Sequence, residues 1–174
     1  IHRFFELNPL LRLTAKKSDI ILATSPETKR RIEILSKKKC IVWSQVGIPD
    51  REFEWLSKTP FKDVGPFTIF SAGELKHFKA YHLALKAFSI FLKNKPEAQY
   101  WIFGEGPAKE SLQAMCRTLN IEHHVKFVGL VVREDFLKSL VDCDIFLHPS
   151  MHESGGWVIA EAHSAGRPVI CINS

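Results

Sequence analysis

The stretch DIFLHPSMHESGGWVIAEAHSAGRPVI, Asp144 to Ile170, decides the fold. Its apolar opening (144–149) reads as a strand and residues 156–165 as a helix. Between them lies a Ser-Gly-Gly corner, Ser154, Gly155 and Gly156. Gly166-Arg167-Pro168 ends the helix, because proline cannot extend it, and launches a short apolar strand at 168–172. A strand, a covering helix and a second strand form the unit of a parallel sheet.

The same alternation runs outward through the chain. Strands are expected at 20–25, 40–45, 67–72, 98–104 and 124–129, with helices at 26–38, 81–94, 108–120 and 133–142. Ser25-Pro26 is a capping residue followed by proline at the first helical position, where the missing N–H costs nothing. Residues 47–66 carry three prolines and two glycines with little apolar periodicity, so they read as a connector. Three segments follow: 1–46, the connector at 47–66, and a Rossmann-like α/β unit at 67–174.

Composition bounds the class. With 174 residues, 45% of them apolar and 11% aromatic, the chain can bury a packed core. No apolar run reaches the roughly 18 residues of a membrane span, and the start lacks the pattern of a secretory leader, which leaves a soluble cytoplasmic protein as the default expectation. The four cysteines, Cys40, Cys116, Cys143 and Cys171, lie far apart with no C-x-x-C pair, so reduced thiols are expected. The net charge of +5 is uneven: residues 1–46 hold 10 Lys+Arg against 4 Asp+Glu, and the remainder 14 against 15. Such a basic segment suits an anionic membrane surface, and a solvated helix face is the plainer reading of the same charges. No aromatic interleaving or motif points to nucleic acid.

In an open parallel sheet, ligands sit beyond the carboxyl ends of the strands. The loop after 144–149 is the most telling of these. Ser154 can cap the helix at 156–165, and Gly155, Gly156 and Trp157 then offer free backbone N–H groups at the positive end of the helix dipole, a site for phosphate or diphosphate. Glu153 and Glu161 flank that corner about 12 Å apart, at roughly 1.5 Å per residue. Carboxylates beside an anion need other partners, and sugar hydroxyls are suitable, so the spacing fits a nucleotide diphosphate sugar. Lys79, in the loop that Gly73 opens after the strand at 67–72, is a candidate cation for the diphosphate. His148 and His152 lie near enough to be further candidates, although strand-end histidines are more often structural. GEGPAK (104–109) lacks the third glycine of a dinucleotide fingerprint.

The segment Phe67 to Ser174 resembles the donor-binding half of a two-domain GT-B glycosyltransferase of the retaining group 1 kind. The resemblance lies in SAGELKHFKAYHLALKAF (71–88), YWIFGEGP (100–107), HVKFVG (124–129) and the stretch 144–170, which carries the Glu, seven residues, Glu signature. It implies that Lys79 contacts the donor diphosphate, that Ser154, Gly155, Gly156 and Trp157 offer backbone amides to it, and that Glu161 bonds the ribose. It implies that Glu153 reaches the transferred sugar, with Glu153 and Lys79 as the catalytic pair. Gly129, Leu130 and Val131 would line the base pocket and Gly73 would belong to the donor-binding set, while Gly104 and Gly106 shape the crevice. No metal or cofactor is implied. Residues 1–46 resemble the tail of the acceptor domain, and the chain reads as a fragment that binds donor and transfers little.

Two positions depart from the family pattern: Glu74 stands where an arginine is usual, with Lys76 and His77 as candidate substitutes, and Ala80 stands where glycine is preferred. The implied activity is transfer of a hexose, with retention, to a saccharide or lipid-linked acceptor, peripherally at the inner membrane face. The alternatives are a sugar-nucleotide epimerase of the same fold and a noncatalytic nucleotide-sugar-binding module.

Overall fold

The computed structural model describes residues 8–43, 47–60, 65–151 and 156–172. The chain divides into two units, Ile1–Gly47 and Ile48–Ser174.

In the first unit, helix α1 (Pro9–Lys17) is capped by the Asn8 side chain, which accepts from the Leu10 amide at 2.9 Å. Strand β1 (Leu22–Ala23) leads into helix α2 (Pro26–Ser36), and Ser25 Oγ accepts from Thr28 N at 3.1 Å as the Ser-Pro pair predicts. Lys37, in the left-handed region at φ 57°, ends α2 before strand β2 (Ile41–Val42), which pairs parallel with β1. The basic face of α2 is partly compensated: Glu27 accepts from Arg30 at 3.0 Å and Arg31 at 2.7 Å, and those bonds hold its carboxyl down to about 2.

The second unit opens with a helix. Residues 47–66, read as a connector, contain helix α3 (Asp50–Lys58), with Asp50 and Glu52 in its first turn and Lys58 in its last, the arrangement that suits the helix dipole. It escaped the sequence because its buried apolar content is a single anchor: Leu56 is buried, while Phe53 and Trp55 remain exposed.

Beyond α3 the expected alternation appears. Strands β3 (Thr68–Ala72), β4 (Gln99–Phe103), β5 (Val125–Gly129), β6 (Ile145–His148) and β7 (Val169–Cys171) form one parallel sheet in the order β5-β4-β3-β6-β7. Helices α4 (Tyr81–Phe91), α5 (Lys109–Thr118), α6 (Arg133–Val141) and α7 (Trp157–Ser164) connect them. β3 is central and buried at every residue, as a strand covered on both faces must be. Alternate side chains therefore enter two cores. Ile69 packs with Leu85, Phe88, Tyr100 and Leu112 on the α4–α5 side. Phe70 packs with Leu56, Phe103, Leu140 and Phe146 on the side of α3, α6 and α7.

Polar groups fix the register where the strand order reverses. Asp144 Oδ2 accepts from Thr68 N at 2.7 Å, and Asp144 N donates to Thr68 O at 2.9 Å. Ser71 Oγ, fully buried, bonds the Tyr100 hydroxyl at 2.8 Å and the Leu147 carbonyl. Among the described residues the cysteines are free thiols, with Cys40, Cys116 and Cys143 buried and Cys171 exposed.

Ala80 lies between a 3₁₀ turn (His77–Lys79) and α4 with φ 52° and ψ 30°, a left-handed conformation that crowds its Cβ. Ala80→Gly is expected to change stability by less than about 1 kcal/mol, since the relieved strain is offset by the added chain entropy and by loss of a fully buried methyl. A larger shift of the urea midpoint would contradict that account.

Candidate functional site

The carboxyl ends of β3, β4 and β5, with α6 and α7, enclose an open cavity of about 600 Å³. Its floor is backbone packed on backbone. Gly73 N donates to Phe103 O at 3.0 Å, Leu75 N to Glu105 O at 2.9 Å and Gly104 N to Gly129 O at 2.8 Å, so the three loops continue the ladder beyond the strands. Only glycine fits at 104: φ is +124°, and a Cβ there would sit 2.2 Å from Gly73 O. A Cβ at Gly106 would meet the Leu75 backbone at 2.6 to 2.8 Å.

The walls are mainly apolar. Phe103, Phe136, Val158 and the loop residues Leu130 and Val131 supply them, and Leu130 is 81% exposed at the mouth. Three carboxylates also line the space, each held by a cation. Glu74 pairs with Lys76 at 2.9 Å, Glu105 with Lys109 at 2.6 Å and Glu161 with Arg133 at 2.6 Å. An anion entering the cavity thus meets compensated acids. Lys76 is committed to Glu74, and His77 stacks on His82 at 5.1 Å.

Glu161 is the most confined of these groups. It lies on the second turn of α7 with 5% exposure, Oε1 accepts from Arg133, and Oε2 has no hydrogen-bond partner among the described residues. Burial raises its pKa, and Arg133 opposes the shift. Because the folded value lies above the unfolded one, ionised Glu161 costs stability at neutral pH, and that cost disappears as pH falls below the ordinary carboxylate range. Arg133 is itself anchored by Glu52 on α3, through Nε to Oε1 at 3.3 Å and Nη2 to Oε2 at 2.5 Å, which lowers the Glu52 pKa.

The candidates from the sequence fall into three groups. Gly73, Gly129, Leu130, Val131 and Glu161 line the cavity together. Lys79 does not line it: it ends the 3₁₀ turn, half-buried, with Nζ 5.7 Å from the centroid of the Phe78 ring. Met151 N donates to Phe78 O at 3.0 Å, which ties the start of the loop after β6 to that turn. Gly156, at φ 66°, occupies the N-cap position of α7, and no side chain among the described residues caps this helix; the Ser154 cap expected lies outside the described residues. Trp157, its first residue, is 48% exposed and lies outside the cavity lining. His148 is buried at the end of β6 with its ring stacked on Phe146. Glu153, Ser154, Gly155 and His152 lie outside the described residues. The sequence reading missed Arg133 and Glu52. The available signal was Arg133 opening a helix directly after Leu130–Val132.

Among the described residues no helix is long and apolar enough to cross a membrane, and no group of three His, Cys, Asp or Glu side chains could hold a metal.

Known proteins share this architecture. A Campylobacter jejuni 4-alpha-N-acetylgalactosaminyltransferase, named for its diphospho-undecaprenol-linked acceptor, is 28% identical over 93% of this chain and 43% of its own length. The lipopolysaccharide core biosynthesis glycosyltransferase LpsE of Rhizobium meliloti is 24% identical over 83% of this chain and 47% of its own. The chain spans less than half the length of the curated relatives it matches. Among solved structures, HepE of Anabaena in complex with UDP superposes with a TM-score of 0.72 at 20% identity, over 92% of this chain and 46% of that one. TarM of S. aureus, solved with UDP, gives 0.76 at 17%, over 92% and 31%. At such identities the likeness is one of fold, a parallel sheet flanked by helices as in GT-B glycosyltransferases. The family model for glycosyl transferases group 1 matches residues 53–174, which is well over half of the chain, and the chain belongs to that family.

Proposed function

We propose that this chain forms the donor-binding part of a retaining glycosyltransferase, which transfers a hexose from a nucleotide diphosphate sugar to a saccharide or lipid-linked acceptor. The observation that carries the reading is Glu161: a buried carboxylate on the cavity wall, with one oxygen held by Arg133 and the other without a donor among the described residues. A ribose hydroxyl is a donor of the right kind. The base then lies against Leu130 and Val131, and the diphosphate extends toward the start of α7 and Lys79. Glu153 acts at the sugar, and Ser154 to Trp157 supply amides to the leaving group. That stabilisation comes from a helix terminus and a cation, without a metal.

Residues 1–46 are proposed as the tail of the acceptor domain, with the basic face of α2 as the part that would approach an anionic membrane surface. The interdomain hinge is proposed within 47–66, next to α3.

Calorimetric titration with UDP, GDP and ADP tests the donor site. One of the three is expected to bind, and silence from all at millimolar concentration would sink the reading. Glu161→Gln and Lys79→Ala are each expected to weaken that binding by about 1.5–3 kcal/mol, the range for charged hydrogen bonds, and a loss under about 0.5 kcal/mol removes the residue from its role. Retention is read from the anomeric configuration of the product formed with radiolabelled donor.

A further inference from the structure

Among the described residues that line the cavity, Arg133 is the one with a cationic side chain, and it faces inward with three of its five N–H groups already engaged. The two bonds to Glu52 fix the guanidinium plane from the α3 side, and the Phe136 ring supports it at 5.7 Å. The remaining contact, Nη1 to Glu161 Oε1 at 2.6 Å, crosses from α6 to α7. An arginine held this way has little freedom to turn toward an incoming phosphate. Its effect falls on Glu161.

Resting on the nucleotide reading above, we infer that Arg133, anchored by Glu52, is a positioning residue that sets Glu161 to select a ribonucleotide over a 2′-deoxyribonucleotide. A carboxylate has a soft terminal torsion and two equivalent oxygens, so a buried one left alone either turns or takes up a proton. Arg133 limits both: it occupies Oε1 and provides a positive charge that favours the ionised form against burial. Oε2 is then the single acceptor available, closed to water and unpaired among the described residues. A small turn of the carboxylate presents Oε2 to the cavity that Glu161 lines. The ligand must bring a hydroxyl to that atom, and a sugar that lacks one leaves a buried acceptor unmet. Arg133 also opens α6 directly after Leu130–Val132, so the loop proposed for the base and the acid proposed for the ribose are joined through one side chain.

The test compares UDP with 2′-deoxy-UDP by calorimetry, or the guanosine pair if GDP is the nucleotide that binds. The unmodified chain is expected to prefer the ribonucleotide about tenfold. In Arg133→Gln that preference falls to about twofold or less, through loss of ribonucleotide affinity, while affinity for the deoxy form changes by less than about threefold. Glu52→Gln, which frees the arginine and leaves its contact with Glu161, is expected to fall between the two. Arg133→Lys restores part of the preference. Thermal melts establish that each variant is folded, and if Arg133→Gln is not, Glu52→Gln and Arg133→Lys decide the matter. An Arg133→Gln protein that keeps the full preference, or weakens both nucleotides by the same factor, overturns the positioning role and leaves the nucleotide site intact. Failure of the unmodified chain to bind any nucleotide overturns the site itself.

Discussion

Phe70→Ala is expected to remove about 3–5 kcal/mol of stability, the range for deleting a buried aromatic ring. Phe70 is fully buried at the middle of the central strand β3, stacked on Phe103 at 4.4 Å, and it meets Phe136 and Phe146 at 5.6 and 5.8 Å. These partners come from β4, α6 and β6, so neither a single side chain nor a single helix can close the space a methyl would leave. Much of a small domain's stability, about 5–15 kcal/mol, depends on this one ring. Urea denaturation measures it: the midpoint should fall with little change in slope. A loss below about 1 kcal/mol would mean that the sheet face under α6 is loosely packed.

Gly104→Ala is expected to cost about 3 kcal/mol and to damage the cavity as well. Two terms add. Alanine at φ +124° is strained by about 1–2 kcal/mol, and its Cβ would lie 2.2 Å from a backbone oxygen, an overlap that costs a further 1–3 kcal/mol to relieve. The atom in the way is Gly73 O, and the Gly73 amide is bonded to Phe103 O, so the loop cannot yield without breaking the ladder that carries Glu74 and Leu75. Stability and nucleotide affinity should therefore fall together. A variant that binds UDP or GDP normally after losing stability would show that the β3 loop has no part in the site. Phe70→Ala supplies the contrast: it lowers stability by at least as much, yet at temperatures where the protein stays folded it leaves the loop backbone free of overlap.

Secondary structure followed from local chemistry wherever that chemistry was self-contained. Ser25-Pro26 starts α2 by its own hydrogen bond, the apolar run at 67–72 becomes β3, and Gly166-Arg167-Pro168 separates α7 from β7. Helix α3 did not follow, because its one buried anchor, Leu56, has meaning only beneath α6 and α7. The site divides the same way. Gly129, Leu130 and Val131 could be named through the family resemblance, and Glu161 also through its spacing from the Ser-Gly-Gly corner at a strand end.

The alternation of short apolar runs with covering helices, with proline and glycine at the joints, determined by itself a parallel α/β sheet and the edge at which the cavity opens, since periodicity and capping act within a few residues. Only the tertiary structure decided that Glu161 meets Arg133, 28 residues away, and that Glu52, 81 residues from Arg133, holds it there. Ion pairs between separate helices carry no periodic trace in a chain. They exist because packing brings the helices to one wall, and burial there makes each charge depend on the next.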